Sequence, residues 1–287
     1  MKPRVDFTHT FHFEKSSLAI RRKEHVMDDN NFFSDAKNEE VKISSGLRII
    51  LPERYYDWSW MNAFFTAPAA NVQRLLPSRK LKPFLIIPGI SMVALTAMEY
   101  RKIADVAPYN EFSIAVPVQY EPTVNVPGLP ALFHPLFSPQ WYRKFGMYIH
   151  HLPVTSQEAL DFGVEIWGYP KIVADISFEE MGTTRRCRLR ADGKDIVTLD
   201  VRKLVTKAQY IDLYTYTVKD GQLWRTLVQT QGQYGITRLP GGASYTLGDH
   251  PIAEELKSLG MGTMAMGRFY ATQVQSMLHA ASERLAL

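Results

Sequence analysis

The stretch Asp161-Phe162-Gly163-Val164-Glu165-Ile166-Trp167-Gly168-Tyr169-Pro170-Lys171-Ile172-Val173-Ala174-Asp175 sets one lysine directly after Tyr169-Pro170, in the company of Ile166, Trp167, Tyr169, Ile172 and Val173. Burial disfavours the charged form of lysine, and a neutral amine is a nucleophile toward carbonyl carbon. A lysine can also lay its apolar stem along a half-buried strand and hold its ammonium in water. Both readings of Lys171 are open on this segment alone. Glu165 lies six residues upstream. If the chain is extended there, both side chains fall on one face, with Gly168 and Pro170 as the breaks in that regularity. The other reading of Glu165 is a structural carboxylate that accepts backbone N–H groups or pairs with an arginine.

Working outward, short apolar runs punctuated by Pro and Gly predict strands at Leu47–Leu51, Phe84–Ile87, Ser113–Val118 and Met147–Leu152. Glu111 heads the third run, either as the solvated start of a strand or as a carboxylate turned into a cavity. Asn71–Leu76, closed by Pro77, predicts one short helix. Beyond Lys171, residues 175–180 and 186–204 alternate polar and apolar, with Asp192-Gly193 as a hairpin turn, and Asp220-Gly221 marks a second hairpin. Arg186, Arg188 and Arg190 share one face, as an anion-binding stripe or as an ordinary wet face. Five prolines between Gln119 and Gln140 mark a long connecting loop. At the carboxyl end, residues 251–259 read as helical. Met266, Phe269, Tyr270, Val274, Met277, Leu278 and Ala281 recur at helical spacing, so a C-terminal helix over residues 264–285 is expected to pack on the sheet.

Composition sets the outer bounds. Hydrophobic residues make up 46% of 287, enough for a large core and against global disorder. A formal charge of +4, with basic residues spread along the chain, makes no demand for nucleic acid. Cys187 is the only cysteine, which excludes an intrachain disulfide and a thiolate zinc site and favours a reducing, cytoplasmic setting. No stretch has the roughly 18 to 20 apolar residues of a membrane-spanning helix, and residues 1–15 lack the apolar core of a secretory signal. Residues 1–45 mix charge with isolated aromatics, as an arm that packs on a neighbouring subunit or stays partly disordered.

Other chemistries find little support. His150 and His151 are adjacent, and strand neighbours point to opposite faces, so no shared metal ion is expected. No serine elbow is present, and Gly260, Gly262 and Gly267 lack dinucleotide-fingerprint spacing.

The segment Gly163-Val164-Glu165-Ile166-Trp167-Gly168-Tyr169-Pro170-Lys171 resembles the glycine, glutamate, tyrosine-proline-lysine signature of the acetoacetate decarboxylase family. Tyr109-Asn110-Glu111 followed by Ala115-Val116-Pro117-Val118 is similar to that family's second segment. The resemblance covers Gly46 to the C-terminus, which gives an N-terminal extension over residues 1–45 and a catalytic domain over residues 46–287.

It implies an α+β fold: a large bent antiparallel sheet closing into a barrel around a central cavity, with few helices, and a homo-oligomer. It also implies a Schiff-base enzyme without cofactor or metal that acts on a small-molecule keto acid. Lys171 is the implied nucleophile, Glu111 the active-site carboxylate and Glu165 a supporting one. Tyr169, Trp58, Arg54 and Tyr109 are the implied substrate-binding positions. Two departures stand out. The cation expected beside the lysine is replaced by Pro170 and Ile172, which leaves Ile172, Trp167 and Tyr169 to desolvate the amine. The family's substrate arginine falls near Trp58, with Arg54 as the nearest arginine. Decarboxylation of a β-keto acid such as acetoacetate is the leading expectation. Aldol or dehydration chemistry through the same iminium, and a non-catalytic barrel binding an apolar or keto-bearing ligand, are the alternatives.

Overall fold

The computed structural model describes residues 32–34, 36–121 and 144–287. The predicted loop beyond Glu121 and most of the N-terminal arm lie outside the described residues. In chain order the elements are β1 (Glu39–Lys42), β2 (Arg48–Leu51), β3 (Glu53–Pro68), α1 (Ala69–Gln73), β4 (Leu81–Pro83), β5 (Ile90–Ile103), β6 (Tyr109–Tyr120) and β7 (Phe145–His151). They continue with α2 (Gln157–Trp167), β8 (Asp175–Met181), β9 (Thr184–Ala191), β10 (Lys194–Arg202), β11 (Lys207–Lys219), β12 (Gln222–Thr237), β13 (Ala243–Leu247), α3 (Pro251–Ser258) and β14 (Ala265–Ala286).

Strands β6, β5, β3, β14, β12, β11 and β7 pair in that order, and β7 pairs back onto β6, so seven strands close a barrel. The expected antiparallel sheet is mixed at one seam, where β7 meets β11 in parallel. A four-stranded sheet, β13-β10-β9-β8, packs against the barrel.

Period-two alternation sorts the barrel residues. On β3 Met61, Ala63 and Phe65, on β5 Val93, Leu95 and Ala97, and on β6 Phe112, Ile114 and Val116 turn outward to the core shared with Ile176, Leu189, Val197 and Leu199 of the smaller sheet. Their neighbours Trp58, Trp60, Asn62, Thr96, Met98, Glu111, Ser113 and Ala115 line a cavity of about 920 Å³. Both faces are therefore buried, which is why these strands read as nearly continuous apolar runs.

Both predicted hairpins form, at Asp192-Gly193 and Asp220-Gly221. Arg186, Arg188 and Arg190 are each paired, with Asp200, Glu179 and Asp195, so that face is an ion-paired surface. Phe32 and Phe33 stack edge-on against Tyr210 and Tyr56 of the same chain.

Three expectations are corrected. Residues 265–286 form the barrel strand β14, seated between β12 and β3, and the C-terminal helical segment ends at Ser258. The β14–β3 ladder shifts register between Ala271 and Val274 and again between Val274 and Ser276, and such slips turn a period of two into spacings of three and four. Residues 157–167 are helical, so Glu165 and Lys171 do not share an extended face. Phe84–Ile87, held between Pro83 and Pro88, forms no strand: the Phe84 N–H donates to the Pro117 carbonyl at 2.8 Å, and beyond it Ile87 makes an isolated bridge to Ile90. Among the described residues no helix is long and apolar enough to cross a membrane.

Candidate active site

Helix α2 begins where the Ser156 side chain accepts a hydrogen bond from the Ala159 N–H at 3.1 Å and ends at Gly168, whose left-handed φ of 68° closes the last turn. It buries Ala159, Phe162, Gly163, Ile166 and Trp167, an i, i+3, i+4, i+7, i+8 stripe. Full burial of a Phe side chain is worth roughly 1.5 to 3 kcal/mol, so this stripe fixes the helix on the barrel.

The chain then turns back along the barrel wall. The Leu152 N–H donates to the Pro170 carbonyl at 3.0 Å and the Val154 N–H to the Ile172 carbonyl at 2.9 Å. Val154 also bridges Glu111 on β6 and Val173, and through this narrow ladder Lys171 reaches Glu111.

The Lys171 Nζ lies 3.0 Å from the Glu111 Oε2, and the two side chains are 2% and 8% exposed. Nζ also donates to the Ala159 carbonyl at 3.0 Å. The rings of Phe162, Tyr109 and Tyr169 stand 5.0, 5.5 and 6.0 Å from it. Tyr100 donates its hydroxyl to the other Glu111 oxygen at 3.4 Å, and the Tyr55 and Tyr109 hydroxyls meet at 3.4 Å.

Burial pushes the Lys171 amine below its ordinary value of 10.5, and Glu111, by charge and hydrogen bond, opposes that push. Burial drives the phenols of Tyr55, Tyr100 and Tyr109 upward, so they stay protonated and able to donate. The result is a dry amine beside a carboxyl group and three phenols, at the wall of an apolar cavity.

Gly163 explains one letter of the signature. A Cβ there would stand 2.4 Å from the Lys171 Cε, so the lysine stem crosses α2 where only glycine leaves room.

The structure brings Lys171, Glu111, Tyr169, Tyr109 and Trp58 together around this corner. Trp58 and Tyr169 line the cavity, and the Tyr169 hydroxyl is fixed 2.8 Å from the Thr215 Oγ1. Arg54 is absent from the cavity wall and bonds to Asn38. Glu165 is turned to the outer side of α2, where it accepts from the backbone N–H and hydroxyl of Ser44 and is held below the usual carboxylate range. Ile172 packs against the outer core shared with the smaller sheet, because it alternates with Lys171. The desolvation expected of it falls to Phe162, Tyr109 and Tyr169. Sequence reasoning missed Tyr100, Tyr55, Phe162 and the Ala159 carbonyl. The helical stripe behind Ser156 was the available signal for Phe162 and Ala159, and nothing local marks the two tyrosines.

A closed barrel with a buried lysine–glutamate pair at the wall of its cavity is the class that fold and site define. The acetoacetate decarboxylase family profile matches residues 42–283, and the chain belongs to that family. Among solved structures, an acetoacetate decarboxylase superposes with a TM-score of 0.57 at 15% identity over 82% of this chain and 89% of its own. The acetoacetate decarboxylase of Legionella pneumophila gives 0.54 at 15% identity over 89% and 95%. The enduracididine biosynthesis enzyme MppR, in complex with pyruvate, gives 0.53 at 11% identity over 81% and 92%. A comparison with curated protein sequences returned no match.

Proposed function

We propose that this protein is a Schiff-base enzyme in which Lys171 condenses with the ketone of a keto acid. The observation that carries the reading is the Lys171 Nζ, nearly shut off from solvent, held 3.0 Å from Glu111 and lowered in pKa by burial at the wall of a cavity of about 920 Å³. The neutral amine adds to the carbonyl carbon, and loss of water gives an iminium. In a β-keto acid the bond to the carboxylate then breaks. Carbon dioxide leaves, and the bonding electrons enter the iminium to form an enamine. Protonation of the enamine carbon and hydrolysis of the regenerated iminium release the ketone and restore Lys171. Glu111 is the proton carrier for addition and hydrolysis, and Tyr100 orients it.

The cavity supports a substrate class. Trp58, Trp60, Phe64, Met98 and Ile149 give it an apolar wall far larger than acetoacetate needs, which supports a keto acid with an aromatic or extended apolar body. One observation favours a second reading. The charged residues lining the cavity, among the described residues, are Glu111, Lys171, Asp212 and Arg238, and Arg238 sits at the exposed end of β12. With no arginine beside Lys171 among the described residues to anchor a carboxylate, the iminium also suits aldol or dehydration chemistry. MppR, a structure of the same fold, is described with pyruvate, which supports a keto acid in either case.

The test is borohydride reduction in the presence of acetoacetate, pyruvate and aryl-substituted keto acids, with peptide mapping by mass spectrometry. A reduced adduct on Lys171 is expected, with carbon dioxide release from the β-keto acids. An adduct without carbon dioxide selects the second reading, and no adduct with any member of the set overturns the proposal.

A further inference from the structure

A second cluster of chemistry-bearing side chains lies outside the cavity. His150 and His151 end β7, and both Nε2 atoms meet the same oxygen of Glu255 on α3, at 3.0 and 2.7 Å. The two imidazole centroids are 4.3 Å apart. Strand alternation forbids this convergence, and a bulge permits it. On the β6–β7 ladder Ala115 pairs with Ile149 but Ile114 pairs with His151, so one step on β6 spans two on β7 and His150 is the inserted residue. A bulge bends its strand and re-aims the side chain at that point, here onto the side of His151. Helix α3 supplies the third group: it buries Ile252, Ala253 and Leu256 against the protein, which leaves Glu255 turned toward β7.

We propose that His150 Nε2, His151 Nε2 and the Glu255 carboxylate bind a divalent first-row transition-metal ion, with zinc as the first candidate. The three ligand atoms lie within 4.8 Å of one another. Zinc takes nitrogen at about 2.0 to 2.1 Å and carboxylate oxygen at about 2.0 to 2.2 Å, so tetrahedral neighbours stand roughly 3.3 Å apart. The two nitrogen–oxygen distances, 3.0 and 2.7 Å, widen by about 0.3 to 0.6 Å to reach that spacing. Two imidazoles and one carboxylate are a nitrogen-rich set that suits zinc and its neighbours, whereas calcium and magnesium require oxygen ligands. A metal-bound Nε2 carries no proton, so each ring binds as the neutral Nδ1–H tautomer, and two neutral rings and one carboxylate give a set of net charge −1 for a dication. The side chains are 15%, 24% and 36% exposed, which leaves a fourth position open to water. A bound ion ties β7 of the barrel to α3, and through α3 to β10 and β13 of the smaller sheet. Metal binding is thereby linked to the docking of the two sheets.

The full-length chain, stripped with EDTA, is titrated with zinc against a chromophoric chelator and with cobalt in the visible range. Its melting midpoint is followed with and without zinc. Glu255→Gln, His150→Gln and His151→Gln are measured alongside, after their melting in EDTA has been matched to the wild type. The expected result is one tight zinc per chain, cobalt bands of a low-coordinate nitrogen and oxygen site, and a melting midpoint raised by zinc in the wild type alone. Each variant should bind zinc at least about 100-fold more weakly, beyond the roughly 10- to 100-fold cost of losing an outer-shell partner. Zinc binding unchanged in the three variants, or no binding by the wild type at micromolar metal, overturns the proposal. Borohydride trapping at Lys171 is independent of either outcome.

Discussion

Lys171 and Glu111 meet 3.0 Å apart with 2% and 8% of their side chains exposed, whereas Arg188 and Glu179 on the outer sheet meet at 3.3 Å with 51% and 53% exposed. Each pair sets a basic side chain against a glutamate, and their surroundings are opposite. The outer pair is screened by water and by salt, and pairs of that kind contribute about 0 to 1 kcal/mol. The inner pair has surrendered its hydration, at an effective cost of several kcal/mol per ion, and an apolar pair of similar volume would serve stability as well or better. Perturbed pKa values cluster at functional sites, so a lysine and a glutamate kept in that position support the proposed role of the pair.

The comparison is broken most completely by removing the inner amine. Lys171→Arg keeps a cation of similar length that cannot be deprotonated to attack a carbonyl, so the borohydride adduct and turnover should both vanish while the circular dichroism spectrum is unchanged. Adduct formation at another lysine, with turnover retained, would move the site elsewhere.

Glu111→Gln should come next, with turnover lowered roughly 10²- to 10⁴-fold, the usual contribution of a positioned acid–base group. The sign of its pH effect is fixed by geometry: Glu111 favours the ammonium against desolvation, so its loss lowers the Lys171 pKa further and moves the imine-trapping profile to lower pH. Glu165→Gln, bonded to Ser44 on the far side of α2, should leave both rate and profile as they are. A larger loss from Glu165→Gln in stopped-flow or steady-state assays would exchange the two assignments.

Gly163→Ala tests position separately from charge. A Cβ there meets the flexible Lys171 Cε at 2.4 Å, so the lysine stem must shift while the helix gains a better former. A misplacement on the scale of 1 Å can cost about 10²-fold, and activity should fall by that order with melting temperature unchanged or raised. Equal losses of stability and activity would make the glycine a folding residue.

Smaller still is the effect of wetting one wall. Phe162→Gln should admit water beside Nζ and move the trapping profile to higher pH, whereas Ile172→Gln, which faces the outer core, should leave the profile in place. A shift in the second variant without one in the first would return the desolvating role to position 172. At the bottom of the series, Arg188→Ala should change unfolding free energy by no more than about 1 kcal/mol, with activity intact.

Several features were legible because they are local. The Tyr-Pro-Lys segment, the glutamate heading an apolar run, both Asp-Gly hairpins and the short helix before Pro77 each depend on a few consecutive residues. Three others were misread for one shared reason. In β14, on β7 and along α2, the side chain's direction depends on something a period cannot carry. For β14 it is three register slips against a strand some two hundred residues away in sequence. For His150 it is one inserted residue opposite Ile114–Ala115. For Glu165 it is a helix whose stripe of Ala159, Phe162, Gly163, Ile166 and Trp167 starts before the signature does.

The sequence by itself determined the chemistry on offer: a lysine behind Tyr-Pro, a glutamate at the head of an apolar run, the absence of cysteine pairs, and strands apolar enough to be buried on both faces. Tertiary structure alone decided which of those groups meet. Barrel closure brought β6 and the turn after α2 to the same wall and so joined Lys171 to Glu111. The helix that carries Lys171 toward that wall carried Glu165 away from it. A bulge turned two histidines that alternation keeps apart onto one glutamate. Each outcome depends on pairing between residues distant in the chain, where the free energy of burial and ladder hydrogen bonds outweighs the local preference of a segment, and a local period holds no record of which partner it will meet.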